Sequence, residues 1–257
     1  MAEARRNEDR GSTVEKVYRR LALKLPAALA AAIDWHFFPN PARPYKELGP
    51  FNGQRGRIRI FTRIVDCLPI EIIIETGTFR GTTTLFLRHA SGLPVHTVEA
   101  SRRNFYFARR RFEFEDGIRA QCGDSRAFLE ELGHDSNATN RPAFFYLDAH
   151  WQEDLPLSEE LSIITKYWNQ PVLMLDDFQV PDDPGYSYDD YGPDRRLSIG
   201  YLPDAFLRDF RLFWPRLAGV AETGHRRGYV VAARRGWMAD SLAAIPHLRE
   251  IETIYPA

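Results

Sequence analysis

The sequence predicts an α/β protein built on a mainly parallel sheet, and three observations carry that prediction. From residue 70 onward, short apolar runs alternate with helix-length amphipathic segments. Strands spaced by helices in this way make βαβ units, whose sheet is mainly parallel with both faces covered. Near its end the chain holds two further runs joined by the tripeptide GHR, the pattern of an antiparallel hairpin.

Each element follows in order. Residues 1–68 are expected to form a helical N-terminal cap segment ahead of a main domain at 69–257. Ser12 with Glu15 makes a capping-box signature, and Val17, Leu21, Leu25 and Leu29 recur at helical spacing. The alanine-rich stretch 27–32 either covers the sheet's own flank or pairs with a second copy in a homodimer. The turn-rich stretch PNPARPYKELGPFNGQRG follows, then a second helical pattern over 58–68. Parallel strands are expected at EIIIET (71–76), PVHTVEA (94–100), GIRAQCG (117–123), PAFFYLDA (142–149) and PVLMLDD (171–177). Helices are expected over 81–89, 102–114, 126–132 and 157–168. The hairpin is expected at LAGVAET (217–223) and RGYVVAARR (227–235). The sum is a Rossmann-like, doubly wound, mainly parallel seven-stranded sheet with a C-terminal antiparallel hairpin.

Composition narrows the function. The 257 residues carry 34 Lys and Arg against 35 Asp and Glu, which argues against bulk electrostatic binding to nucleic acid or an anionic membrane. Arg102, Arg103 and Arg109 to Arg111 are offset by Glu113, Glu115 and Asp116, so they read as a solvated helix. Cys67 and Cys122 have no metal-ligand spacing, which excludes a disulfide scaffold or a zinc finger. The charged start does not fit a signal peptide, and no apolar run approaches the ~20 residues of a membrane helix. A cytoplasmic protein acting on a small molecule is the expectation.

Ligands of open α/β sheets bind beyond the carboxyl ends of the strands. Every expected parallel strand ends in acid: Glu75, Glu99, Asp124, Asp148, and Asp176 with Asp177. The first turn, ETGTFRGTTT, carries Gly77 and Gly81 and permits close backbone approach to a ligand. It lacks both the G-x-G-x-x-G fingerprint and the GK[ST] of a phosphate loop. Glu99 is placed to accept hydrogen bonds from a ribose diol. Asp124 and Ser125 either contact an adenine or cap the following helix. Asp148, Asp176 and Asp177 would repel one another unless a cation were bound, and oxygen ligands suit Mg²⁺. The alternative is that Asp177 caps a turn and Asp148 binds only a cofactor's amine.

ETGTFRGTTT, the Glu99 strand end, CGDS and the terminal hairpin together resemble a class I S-adenosylmethionine-dependent methyltransferase over about residues 48–235. The resemblance implies that Glu75, Gly77 and Gly81 line the cofactor's methionine end, with Thr76 beside them. It also places Glu99 at the ribose and Asp124 with Ser125 near the adenine. Thr82 and Thr83 would meet the methionine carboxylate at a helix N-terminus. YLDAHW and LMLDDF are similar to metal-dependent O-methyltransferases, including the macrocin-type sugar enzymes and, more distantly, catechol O-methyltransferase. GPFNGQRGRIRIF looks like the lead-in of the macrocin-type group.

That likeness implies Mg²⁺-dependent methylation of a sugar or natural-product hydroxyl. Asp148, Asp176 and Asp177 would hold the ion, which lowers the hydroxyl's pKa and aligns it with the sulfonium methyl. Asp148 and His150 would be the catalytic pair, with His150 the base; the macrocin-type enzymes have Asp at that position, so His150 is a departure. Tyr186, Tyr188, Tyr191, Arg195 and Arg196 make the long loop 178–202 a candidate substrate lid. Trp151 packs either against the acceptor or in the core. Two other readings stay open: a metal-dependent hydrolase or hydroxylase using the same acids, and a non-catalytic nucleoside-binding protein.

Overall fold

The computed structural model describes residues 25–37, 49–150 and 154–251. Ser12, Glu15, Val17, Leu21 and Trp151 lie outside them. Five parallel strands form as the apolar runs require: β1 (Ile72–Thr76), β2 (Val95–Glu99), β3 (Ile118–Cys122), β4 (Ala143–Leu147) and β5 (Pro171–Leu175). The antiparallel edge consists of β6 (Phe210–Pro215), β7 (Val230–Arg234) and the two-residue β8 (Leu248–Arg249). The order is β3-β2-β1-β4-β5-β7-β6-β8, so the strand order switches between β1 and β4, which run parallel. This is the mainly parallel, doubly wound class expected, with one short strand more than the seven anticipated.

The hairpin's first arm is corrected. LAGVAET is no strand: Gly219–Ala221 is a 3₁₀ turn, and the arm is FRLFWP upstream. A residue with a side chain cannot replace Gly219, because a Cβ there would collide with the Gly185 and Tyr186 backbone. That close crossing pulls the segment out of the sheet.

Nine helices occur among the described residues. They are α1 (Ala27–Phe37), α2 (Arg55–Cys67), α3 (Thr82–Ser91), α4 (Arg102–Arg111), α5 (Ser125–Gly133), α6 (Ser136–Thr139), α7 (Leu157–Tyr167), α8 (Asp204–Asp209) and α9 (Trp237–Ala243). None is long and apolar enough to cross a membrane. In α2, Ile60, Phe61 and Ile64 are buried, and Phe61 stacks edge-on against Phe144 of β4. α5 and α7 pack on the opposite face, where Phe145 meets Trp168.

Two expectations about the N-terminal half change. Leu29 is half exposed, whereas Ala30, Ala31 and Asp34 are buried. Asp34 takes a two-pronged ion pair from Arg103 at 2.7 Å, and Trp35 meets Phe107 at 5.3 Å. The basic helix α4 is therefore not a purely solvated surface. Arg103 anchors α1, Arg110 lies over Trp35, and Arg111 donates to the Arg80 carbonyl and the Thr82 hydroxyl.

Candidate active site

The candidate site lies beyond the carboxyl ends of β1 and β4, where the strand order switches. The β-ladder runs on beyond the strands: the Asp148 amide donates to the Thr76 carbonyl and the Asp176 amide to the Leu147 carbonyl, both at 3.0 Å. These bonds fix the acids at the rim. Gly77 has φ +87, and a Cβ there would collide with the Asp148 carbonyl. Only glycine lets the two strand ends approach this closely.

Around the first turn, the acids brace the loop. Glu75 is wholly buried and accepts hydrogen bonds from the Thr84 and Thr97 hydroxyls at 2.5 and 2.7 Å. Burial pushes its carboxyl up to about 7. Thr76 is equally buried. Glu99 accepts from the Phe79 amide at 2.6 Å and the Ser101 amide at 2.8 Å, and desolvation raises its pKa. Gly81, in the left-handed region, precedes α3 and sits against the Phe112 ring. Thr82 accepts from Arg111 at 2.8 Å, and Thr83 accepts from the Phe51 amide at 3.3 Å, so both hydroxyls also tie neighbouring elements together.

For Asp124 the structure shows the helix-capping role. Its carboxylate caps α5 by accepting from the Arg126 amide at 2.8 Å, and the Arg126 guanidinium holds its pKa down at about 2. Ser125 is buried at the start of α5, which packs on α7, the helix that carries the buried Glu160. Burial raises Glu160 to about 7.

The second acid layer is more selective than expected. Asp148, His150 and Asp177 each bring one ligand atom to within 4.8 Å of the others. Asp176 is not part of this group. It is buried, paired with the Arg57 guanidinium and accepting from the Tyr146 hydroxyl, with the Asp177 amide on Oδ1 at 2.7 Å. Asp148 has its pKa raised well above the carboxylate range, by desolvation first and then by Asp176. Asp177, at φ +51, is held low: burial opposes its charge, but His150 and Arg227 outweigh it. His150 is pushed up to about 9, because Asp177, Asp148 and Asp189 overcome the burial that would neutralise it.

The 178–202 loop closes over this group. Its Asp189 amide donates to the Asp177 carbonyl at 2.9 Å, and Arg227 bridges the Asp177 and Asp189 carboxylates. Asp189 also accepts from the Tyr191 hydroxyl. Tyr186 is buried, donating to the Leu217 carbonyl at 3.0 Å, so it packs the loop down.

Arg57, Glu160 and Arg227 were not singled out from the sequence, which offered Asp189 only as one of the acids, with Asp182, Asp183 and Asp190, that keep the 178–202 loop solvated. Two had a local signal. Arg57 stands at helical spacing with Ile60, Phe61 and Ile64, and Glu160 with Leu157, Leu161 and Ile164. A charge on an apolar stripe is buried with a partner or a purpose. Arg227 and Asp189 meet only through tertiary folding.

No family model matches the chain, and no curated protein matches it. Solved structures do. The O-methyltransferase of Bacillus cereus in complex with SAH is similar over 81% of this chain and 90% of its own, with a TM-score of 0.54 and 18% identity. The O-methyltransferase TomG of Streptomyces achromogenes, involved in tomaymycin synthesis and in complex with SAM, is similar over 82% and 91%, with a TM-score of 0.53 and 17% identity. The chain thus has the fold of the class I S-adenosylmethionine-dependent methyltransferases.

Proposed function

We propose that this protein is an S-adenosylmethionine-dependent O-methyltransferase that methylates a hydroxyl of a small molecule, a sugar or natural-product diol, with a divalent cation at the ends of β4 and β5. The observation that carries the reading is the convergence of Asp148, His150 and Asp177 beside the Gly77 turn, in a methyltransferase fold. Both fold neighbours named above are O-methyltransferases, which supports oxygen as the methylated atom.

The donor sets fit. A rim of carboxylates suits a cofactor bearing an ammonium, a sulfonium and a diol. Glu99 is assigned to the ribose hydroxyls, the turn from Gly77 to Gly81 to the methionine end, and Ser125 to the adenine side. Glu75 and Thr76, wholly buried, support that turn from beneath. Asp148 and Asp177 offer oxygen ligands to a cation. When bound, a divalent ion acidifies a coordinated hydroxyl and holds it for in-line transfer.

The chain's own residues bind, orient and exclude water. Arg57 and Tyr146 fix Asp176, which sets the path of the backbone into Asp177. The 178–202 loop, pinned by Arg227, covers the group from above. His150 is proposed here in a role other than the base, because its Nε2 faces three carboxylates. Helix α2, counted with the N-terminal segment from sequence, is assigned to the catalytic domain because it brings Arg57 to Asp176.

The test is methyl transfer from labelled S-adenosylmethionine to a panel of glycosides, polyols and catechols. Product on a hydroxyl acceptor, abolished by a chelator and restored by a divalent ion, is the expected result. Product that persists undiminished in the chelator contradicts the cation. Transfer to no hydroxyl acceptor, alongside transfer to an amine, contradicts O-methylation.

A further inference from the structure

We propose that His150 Nε2 is itself a ligand of the cation, so that the site is a mixed imidazole–carboxylate centre selecting a first-row transition dication over Mg²⁺. This rests on the cation reading above and specifies it. His150 is 8% exposed, and its Nε2 lies 3.4 Å from Asp177 Oδ2, 3.7 Å from Asp189 Oδ2 and 3.9 Å from Asp148 Oδ1. The Asp177 contact is a long hydrogen bond, and the other two exceed the ~2.7–3.2 Å of an N–H···O hydrogen bond. The Asp177 and Asp148 separations also suit ligand atoms each ~2.0–2.2 Å from one shared ion, at tetrahedral or wider angles.

Asp148 gives a second, independent indication. Among the described residues, the polar contacts of its carboxylate are a 3.4 Å approach by the Tyr146 hydroxyl and the long one to His150. Its side chain is 32% exposed, so a carboxylate oxygen stays open to an ion or to water. On Asp177, Arg227 occupies Oδ1 and leaves Oδ2 facing His150. The remaining hard oxygen ligand expected from sequence, Asp176, is engaged by Arg57 and Tyr146. The third position therefore falls to nitrogen. Imidazole suits first-row transition dications, whereas Mg²⁺ takes oxygen ligands and dehydrates reluctantly.

The experiment is Mn²⁺ titration of the full chain followed by electron paramagnetic resonance, with spin-echo detection of ligand nitrogen and competition by Mg²⁺. Expected is one bound Mn²⁺ showing nitrogen modulation, displaced only by Mg²⁺ in about ten-fold or greater excess. His150→Asp, which restores an oxygen ligand, should keep the ion, lose the modulation and bring the two ions to near parity. His150→Gln, closer in shape, should lose the modulation with weaker binding. Bound Mn²⁺ without modulation, modulation that survives both variants, or Mg²⁺ competing at parity in the parent overturns the inference while leaving the cation in place. Failure to bind any Mn²⁺ overturns it together with the cation; S-adenosylhomocysteine binding, measured on the same sample, reports separately on the cofactor pocket.

Discussion

Glu75 and Glu160 show how single residues make this fold sensitive to pH. Burial raises both from 4.5 to about 7. Below pH 4.5 each is protonated whether the chain is folded or not. As pH rises from 4.5 to 7, the unfolded chain releases its protons first, and stability is lost; above 7 the loss is complete, roughly 3 kcal/mol per group. Glu160→Gln should therefore gain on the parent in Tm as pH rises through that window. A constant difference across pH 4.5 to 8 would contradict the assignment. The strand-end acids were legible from sequence because alternation of strand and helix places each one at the same rim. Their individual tasks were not. Whether a carboxylate faces the crevice, as Asp148 does, or a buried arginine, as Asp176 does, depends on a helix more than a hundred residues away.

Among elements, α2 and the β5 end are held together by one buried ion pair. Arg57 and Asp176 are both fully shielded, and the Arg57 guanidinium also lies 4.3 Å from the Tyr229 ring centre and donates to the Arg227 carbonyl at 2.7 Å. Removing one partner leaves the other charge buried and unpaired. Arg57→Met should cost about 3–5 kcal/mol in denaturant unfolding, whereas Arg57→Met with Asp176→Leu should recover much of it. An Arg57→Met loss below about 1 kcal/mol would show that the pair does not join these elements. The apolar runs located the five parallel strands and β7 from sequence. They misplaced the partner of β7, because LAGVAET is as apolar as a strand, whereas in the fold it forms a 3₁₀ turn whose Gly219 packs on the Gly185 backbone.

For the whole molecule, strand order decides where chemistry can occur. The switch between β1 and β4 brings acids separated by about a hundred residues of chain to one crevice, and α1 locks against α4 through Asp34 and Trp35. Fold class and crevice were readable because periodicity and strand-end polarity are local. The Arg227 bridge and the buried face of α1 were not, since each depends on ion pairs between distant segments. The central claim is that the crevice is a methyltransferase cofactor pocket. Isothermal titration of the full chain with S-adenosylhomocysteine, with and without a divalent ion, tests it most directly. Micromolar binding in both conditions is predicted, since Glu99 and the Gly77 turn, proposed to hold the cofactor, are not among the groups proposed for the ion. Absence of binding in both would contradict the account.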